Sequence, residues 1–360
     1  MKIITIIGTR PEIIRLSCII PLLDKYTKNI IVHTGQNYDY ELDKIFFKNF
    51  KLRQPDYHLS ARGSFGLQLS VMFKELELIF KKEKPDSLLV LGDTNSSLSS
   101  IIAKRYNIKI FHMEAGNRCY HEIVPEEINR KIIDHSSDIL LPYTFRSCEN
   151  LCKEGIDRKK IFITGNPIYE VLKKNENKIN NSKILSKLKI KKNKYFLVTL
   201  HREENVDNKK ILATLIDRLD KISVKYDIPI VWPIHPRTKN NIIKLKIKTD
   251  IKKLFLIKPL DFFDFIRLEK NAKCVLTDSG TVQEECSIFK IPVLTLREST
   301  ERPETQESGS NIIIGINSED FIKALEFSIN SLKDNIKAPY EYLEENVSDK
   351  ILKILLSSHL

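Results

Sequence analysis

The chain has 360 residues, more than one hydrophobic core usually serves, and 42% of them are hydrophobic, as in an ordinary globular protein with two domains. Its formal net charge of +12 resides in lysines spread through 173–194 and 239–253. These read as solvated faces and loops, not as a basic stripe with interleaved aromatics. Nucleic acid is therefore not an expected partner, although a basic surface helps to steer an anionic substrate.

Through the first half, short apolar runs alternate with amphipathic segments. A strand over 3–7 leads into a helix over 11–25, and a strand over 30–33 precedes helices over 39–48 and 67–81. Strands over 87–91, 110–113, 139–141 and 161–164 are separated by helices over 96–106, 126–135 and 145–154. The hydrophilic stretch 173–194 reads as a helix and linker. A second alternation follows, with strands over 195–200, 228–232, 254–257, 273–276 and 292–294. Its helices fall over 209–226, 238–247, 261–270, 282–289 and 319–332. Such alternation implies parallel sheets covered on both faces. The expected fold class is α/β, two doubly wound Rossmann-like domains facing a cleft.

Ligands in such sheets bind beyond the carboxyl ends of the strands. Gly8, Gly35, Gly92, Gly165 and Gly280 all follow candidate strands, positions that call for backbone freedom or close approach of a ligand. Gly8-Thr9-Arg10-Pro11-Glu12 closes the first strand, with Pro11 suited to a first helical turn. Arg10 then stands at the sheet edge, unless it is a surface arginine paired with Glu12. Asp93, after the strand over 87–91, could simply cap the next helix. The neighbouring strand, however, delivers Glu114 to the same edge, and Pro125-Glu126-Glu127 starts a helix with two more acids. Crowded carboxylates raise one another's pKa, which suits general acid–base work near neutral pH. A Mg²⁺ site is the competing use, and Arg10, Arg118 and Arg130 close by in sequence argue against it. No metal site is expected.

In the second half, His201-Arg202 and His235-Pro236-Arg237 each end a strand. Two such turns favour phosphate contact over structural histidines. Asp278-Ser279-Gly280-Thr281 ends another strand and opens a helix, whose N-terminus aims backbone N–H groups at an anion. Glu284 and Glu285 would repel a diphosphate but could accept the hydroxyls of a ribose, which points to a nucleotide. The alternative is an ordinary capped helix, Ser279 with Gln283 close behind.

Six cysteines form neither a CxxC pair nor a Cys/His cluster with zinc spacing, and Cys148 and Cys152 read as reduced thiols on one helix face. The apolar start at 1–7 stops at Gly8-Thr9-Arg10, too short for a secretory signal, and no window approaches a membrane span. A soluble, cytoplasmic protein with no membrane insertion is expected.

Together the motifs resemble the non-hydrolysing UDP-N-acetylglucosamine 2-epimerase family. They are GTRPEIIRLS from Gly8, GDTNS from Gly92, HMEAG from His112, PEEINR from Pro125, the GN turn at Gly165, HREEN from His201, IHPRT from Ile234, TDSGTVQEE from Thr277 and TERPET from Thr300. The resemblance implies the two-domain GT-B type of fold, with acid–base residues in 1–170, UDP binding in 171–340, and a closing helix in 341–360 packing back on the first domain. It also implies a homodimer, no cofactor and a UDP-sugar substrate inverted at carbon 2. The hydrogen there sits beside no carbonyl, so elimination of UDP to a 2-acetamidoglycal and re-addition is the accessible route. Two faces require two acid–base groups.

By resemblance Asp93, Glu114 and Glu126 are these candidates, with Arg10 and His201 at the diphosphate. Arg15, Arg118, His235, Phe265, Ser279, Gly280, Thr281, Glu285 and Arg302 are implied to bind UDP and sugar. Arg15 in place of a common Lys, Thr281 in place of a Gly, HREEN, and the segment AGNRCY over 115–120 look more like a capsule and O-antigen branch acting on UDP-6-deoxy-N-acetylhexosamines. Cys119 and Tyr120 are candidates for a wall specific to that branch, with a purely structural role as the alternative. A retaining GT-B glycosyltransferase and a non-catalytic UDP-sugar sensor are the rival functions.

Overall fold

A computed structural model describes the chain except residues 37–39, 122–123, 248, 250, 332–334 and 358–360, and the side chains at 40–43 and 203. The chain divides into two compact units, one of Met1–Lys174 with Tyr340–Leu360 and one of Asn175–Pro339.

In the first unit, strands β1 (Lys2–Ile7), β2 (Lys28–His33), β3 (Tyr57–His58), β4 (Ser87–Leu91), β5 (Lys109–Met113) and β6 (Ile139–Leu141) form a sheet in the order β3-β2-β1-β4-β5-β6. The second unit holds β7 (Phe196–Thr199), β8 (Ile230–Pro233), β9 (Leu254–Ile257), β10 (Cys274–Thr277), β11 (Val293–Thr295) and β12 (Ile312–Ile313), in the order β12-β11-β10-β7-β8-β9. All neighbours are parallel. Each unit is thus doubly wound, as the alternation predicts. The winding reverses between β1 and β4 in one unit and between β7 and β10 in the other, and loops at such a switch point leave room for a ligand.

The strands are near-continuous apolar runs because helices bury both faces. On one face of the first sheet, Ile4, Ile6, Val32, Leu88, Val90 and Ile110 pack with Met72 and Leu76 of the helix Phe65–Glu83. In the second sheet Phe196, Val198, Trp232 and Leu276 pack under Leu212, Leu215 and Leu219 of the helix Lys209–Tyr226. The opposite face, Leu197, Val231 and Val275, lies on Val282 and Cys286.

Several elements differ from expectation. The helix predicted over 11–25 is two helices, Arg10–Leu16 and Ile20–Tyr26, because Pro21 lacks an N–H and fits only the first turn of the second. The strand predicted over 161–164 is a single bridge from Ile161 to Leu140. Edge strands β3 and β12 are two residues each, too short for an alternating pattern to reveal. The helix predicted over 39–48 runs Tyr40–Asn49, and that over 319–332 runs Phe321–Asn330. Asp39 and Leu332, at their predicted ends, lie outside the described residues, as do 358–360 of the predicted closing segment. The helix Val347–Leu356 is held within the first unit by Glu170, whose carboxylate accepts the Ser348 N–H at 2.9 Å and hydroxyl at 2.5 Å.

Candidate active site

β4 and β5 pair through Leu91 and Met113, so the residues that follow emerge side by side, next to the end of β1. Gly92 N–H donates to Met113 O at 3.0 Å and Glu114 N–H to Leu141 O at 3.1 Å, carrying the ladder past the strand ends. Asp93 and Glu114 are therefore held at neighbouring strand ends, in turns whose first residues are still paired to the adjacent strand.

Glu114 has φ +64°, a left-handed conformation that costs a non-glycine residue about 1–2 kcal/mol. The turn is stabilised around it. Gly116 has φ +80°, and a Cβ there would run into the Ser147 carbonyl, so only glycine fits. One Glu114 oxygen is ion-paired with Arg15 Nη1, and the other accepts Asn117 Nδ2 at 3.2 Å. Arg15 is buried in turn, its guanidinium 5.4 Å from the Tyr143 ring centre.

Asp93 accepts two bonds from Arg130 on one oxygen, Nε at 2.9 Å and Nη2 at 2.6 Å, while Asn129 Nδ2 donates to its carbonyl at 2.9 Å. Both partners lie on the helix Pro125–Ser136. Arg130 also donates to Glu127 at 2.7 Å. Burial alone would raise the Glu127 carboxyl, but the Cys119 N–H and Arg130 outweigh it and hold it below its ordinary range. Glu126, half-buried in the first turn of the same helix, takes part in none of these pairs.

The sequence presents Glu12 only as a possible partner of Arg10, yet in the structure it joins the two loops of the switch point. It is buried, accepts the N–H groups of Gly8 and Thr9 (2.8 Å for Thr9), and takes the Thr94 hydroxyl at 2.6 Å. Burial pushes its carboxyl up to about 7 against these bonds. The signal was present in Thr9-x-x-Glu12, the spacing of a capping box. Arg10 is half-buried with its guanidinium 5.7 Å from the Phe46 ring centre.

Arg118 stands apart from these side chains. It is 1% exposed, and its guanidinium meets Asp134 at 2.8 Å and Glu154 at 2.6 Å. Cys119 N–H and Sγ point at Glu127 at 3.1 and 3.3 Å, whereas Tyr120 is exposed with its hydroxyl 2.9 Å from Asn150 Oδ1.

In the second unit, β7 and β10 lie side by side and end at Thr199 and Thr277. The fully buried Asp278 binds the turn after β7, accepting the N–H groups of His201 and Arg202 and the Asn205 amide at 3.1, 2.9 and 3.1 Å. Asp278 is not among the residues that the motifs single out for the site, and its signal in the sequence is an acid directly after a buried strand. His201 Nδ1 lies 3.3 Å from Asp278, and its ring is half exposed.

Ser279 occupies the cap position of the helix Gly280–Phe289, but its hydroxyl faces Thr281 Oγ1 at 3.1 Å instead of closing the first turn. The helix's leading N–H groups and two hydroxyls are thus grouped beyond β10. Gly280 admits the Glu301 carboxylate where a Cβ would otherwise sit. Glu284 is buried and ion-paired with Arg302, so of the two acids predicted to meet a ribose it has an arginine partner within its own unit. Glu285 is buried near Glu269, whose carboxyl is held well above its ordinary range by burial and then by the charge of Glu285.

His235 is exposed and caps the helix Pro236–Lys244, its Nδ1 accepting Arg237 N–H at 3.2 Å. Phe265 packs partly buried on the core under β10. Among the described residues, no three His, Cys, Asp or Glu side chains are grouped to hold a metal ion, and no helix is long and apolar enough to cross a membrane.

A family model described as UDP-N-acetylglucosamine 2-epimerase matches residues 23–356. A UDP-N-acetylglucosamine 2-epimerase of Methanocaldococcus jannaschii is 44% identical over 94% of this chain and 95% of its own. The crystal structure of the M. jannaschii enzyme in complex with UDP-GlcNAc and UDP has a TM-score of 0.92 at 41% identity, covering 99% of both chains. The UDP-2,3-diacetamido-2,3-dideoxy-D-glucuronate 2-epimerase of Pseudomonas aeruginosa is 36% identical over 88% of each chain. Two Rossmann-like units of the same winding and matches along nearly the whole sequence place this chain in the UDP-N-acetylglucosamine 2-epimerase family, as an isomerase.

Proposed function

We propose that this protein interconverts UDP-N-acetylglucosamine and UDP-N-acetylmannosamine by inverting carbon 2. The reading rests on Asp93 and Glu114 at adjacent strand ends, each tied to one arginine, Arg130 or Arg15. One carboxylate takes the proton from carbon 2 as the bond from carbon 1 to the UDP oxygen breaks, leaving a 2-acetamidoglycal. A second acid delivers a proton to the opposite face of carbon 2 while the UDP oxygen re-forms its bond to carbon 1. Atoms and electrons balance without a redox partner. Glu126, which takes part in neither of those arginine pairs, is the third acid–base candidate. Arg10 and His201 offset the charge of the departing diphosphate.

Ser279, Gly280 and Thr281 are assigned to the diphosphate, Glu285 to the ribose, and His235, Phe265 and Arg302 to the remainder of the nucleotide and sugar. Incubation with UDP-N-acetylglucosamine in deuterated water is expected to place deuterium at carbon 2. Binding without exchange for every UDP-N-acetylhexosamine tried would instead identify a transferase or a sensor.

A UDP-6-deoxy-N-acetylhexosamine is the second reading, supported by Arg15, Thr281 and the segment 115–120. A pocket that hydrogen-bonds the 6-hydroxyl rejects a sugar lacking it far more strongly than an apolar pocket rejects an added hydroxyl. Side-by-side turnover of both sugars therefore separates the two readings. We also assign the protein to the cytoplasm as a homodimer. Phe65, Leu67 and Leu78 of one helix and Ile128 and Ile132 of another are exposed apolar side chains that support a partner surface, and light scattering tests it.

A further inference from the structure

Behind the acid–base turns lies a buried charge cluster that the proposed chemistry does not use. His112, on β5, is 1% exposed. Its Nε2 lies 3.0 Å from the carbonyl of Gly92, the residue before Asp93, and its Nδ1 lies 2.8 Å from Asp134 Oδ1. The two ring nitrogens thus reach oxygens on two different elements, the turn after β4 and the helix Pro125–Ser136. The other Asp134 oxygen accepts the Gly116 N–H at 3.2 Å, two residues beyond Glu114, and meets Arg118 Nη1 at 2.8 Å. Arg118 then grips Glu154 with Nε at 2.8 Å and Nη2 at 2.6 Å, and Nη1 donates to Asn117 O at 2.7 Å. His135 Nε2 approaches the same Glu154 at 3.4 Å.

Asp134 stands on the helix Pro125–Ser136, which also carries Glu126, Asn129 and Arg130. One buried carboxylate is thereby linked to the turn of Asp93, the turn of Glu114 and the helix of Glu126. Burial would raise the Asp134 carboxyl, but the His112 hydrogen bond and the charges of His112 and Arg118 outweigh it and keep it below its ordinary range. Breaking such a buried set on one side leaves an uncompensated charge, so its geometry is held tightly.

We propose that His112, Asp134 and Arg118 are positioning residues that set the spacing of Asp93 and Glu114, and that Arg118 acts through this brace and not on the sugar nucleotide. The proposal rests on the acid–base assignment of Asp93 and Glu114 above. A misplacement of about 1 Å at reacting groups costs up to about 100-fold in rate. A loosened brace therefore lowers turnover without lowering nucleotide affinity.

The test uses His112→Asn, which keeps a donor near Asp134 and loses the one to Gly92, and His112→Gln, which does the reverse. Each is expected to lower kcat for deuterium incorporation at carbon 2 by about 10- to 100-fold, with KM and the UDP dissociation constant within about twofold of wild type. Amide deuterium uptake, read by mass spectrometry, should rise over 92–95 in the first variant and over 114–118 in the second. Unchanged uptake at these turns, unchanged kcat, a KM that rises in step with the fall in kcat, or failure of both variants to fold would each overturn the proposal. A wild-type protein with no exchange at carbon 2 would overturn the proposed function instead, while the amide uptake still decides the brace.

Discussion

An amide in place of Asp93 or Glu114 keeps the shape of the side chain but removes the charge that faces Arg130 or Arg15 and the ability to exchange a proton. Asp93→Asn, Glu114→Gln and Glu126→Gln are each expected to lower turnover by about 10² to 10⁴, with UDP affinity retained. Steady-state kinetics beside UDP titration calorimetry checks this, and near-normal turnover would remove that residue from the mechanism. Ser279→Ala and Glu285→Gln should do the converse and weaken UDP in the same calorimeter.

Glu12 carries a different prediction, about stability. Its folded carboxyl, near 7 against a usual 4.5, binds a proton that the unfolded chain has already released between those values. Its contribution is therefore complete below about pH 4.5 and is lost as pH rises through about 7, on the order of 3 kcal/mol in all. Glu12→Gln mimics the protonated form, with an amide that can donate to Thr94 while its oxygen accepts the two backbone N–H groups. The fall in melting temperature from pH 5 to pH 8 should be shallower in this variant, and an unaltered slope would refute the assignment.

At the scale of elements, the turn after β5 is the most constrained piece of the candidate site. Gly116 combines a positive φ with the Ser147 carbonyl where a Cβ would be. Gly116→Ala is expected to cost upwards of about 1 kcal/mol in strain alone, read as a lower urea midpoint with unchanged slope. Because the displaced turn carries Glu114, turnover should fall with it. Substitution of Gly155, also at positive φ but with open space around its Cβ position, should leave turnover intact. The interrupted helix after β1 shows how one residue reshapes an element. An apolar pattern continues across residues 11–25, but Pro21 requires a new first turn.

At the scale of the molecule, each unit has its own core, Ile4, Leu88 and Met72 in one and Phe196, Trp232 and Leu215 in the other. Two calorimetric transitions are therefore expected. If the turn after β10 holds the nucleotide, UDP at about 100 times its dissociation constant should stabilise the unit that contains it by about 2.7 kcal/mol. A scan in which UDP moves neither transition would count against the assignment of Ser279, Gly280 and Glu285.

The alternation of strands and helices, and the polar turns at strand ends, were legible in the sequence because they rest on local periodicity and on which residues tolerate a turn. Asp93, Glu114, His201 and Ser279 could be placed after strands on that basis, and the ordered motifs carried the family. Partners could not be read in the same way. Arg15 meets Glu114 and Thr94 meets Glu12 across 99 and 82 residues, and both depend on how β1, β4 and β5 are ordered in the sheet. Arg118 and Arg302 look the same in sequence as Arg10, and only the packed structure sets them in buried ion pairs with Asp134, Glu154 and Glu284. A charged side chain's role follows from which opposite charge is buried beside it. That is decided by contacts between residues far apart in the chain, which no local pattern encodes.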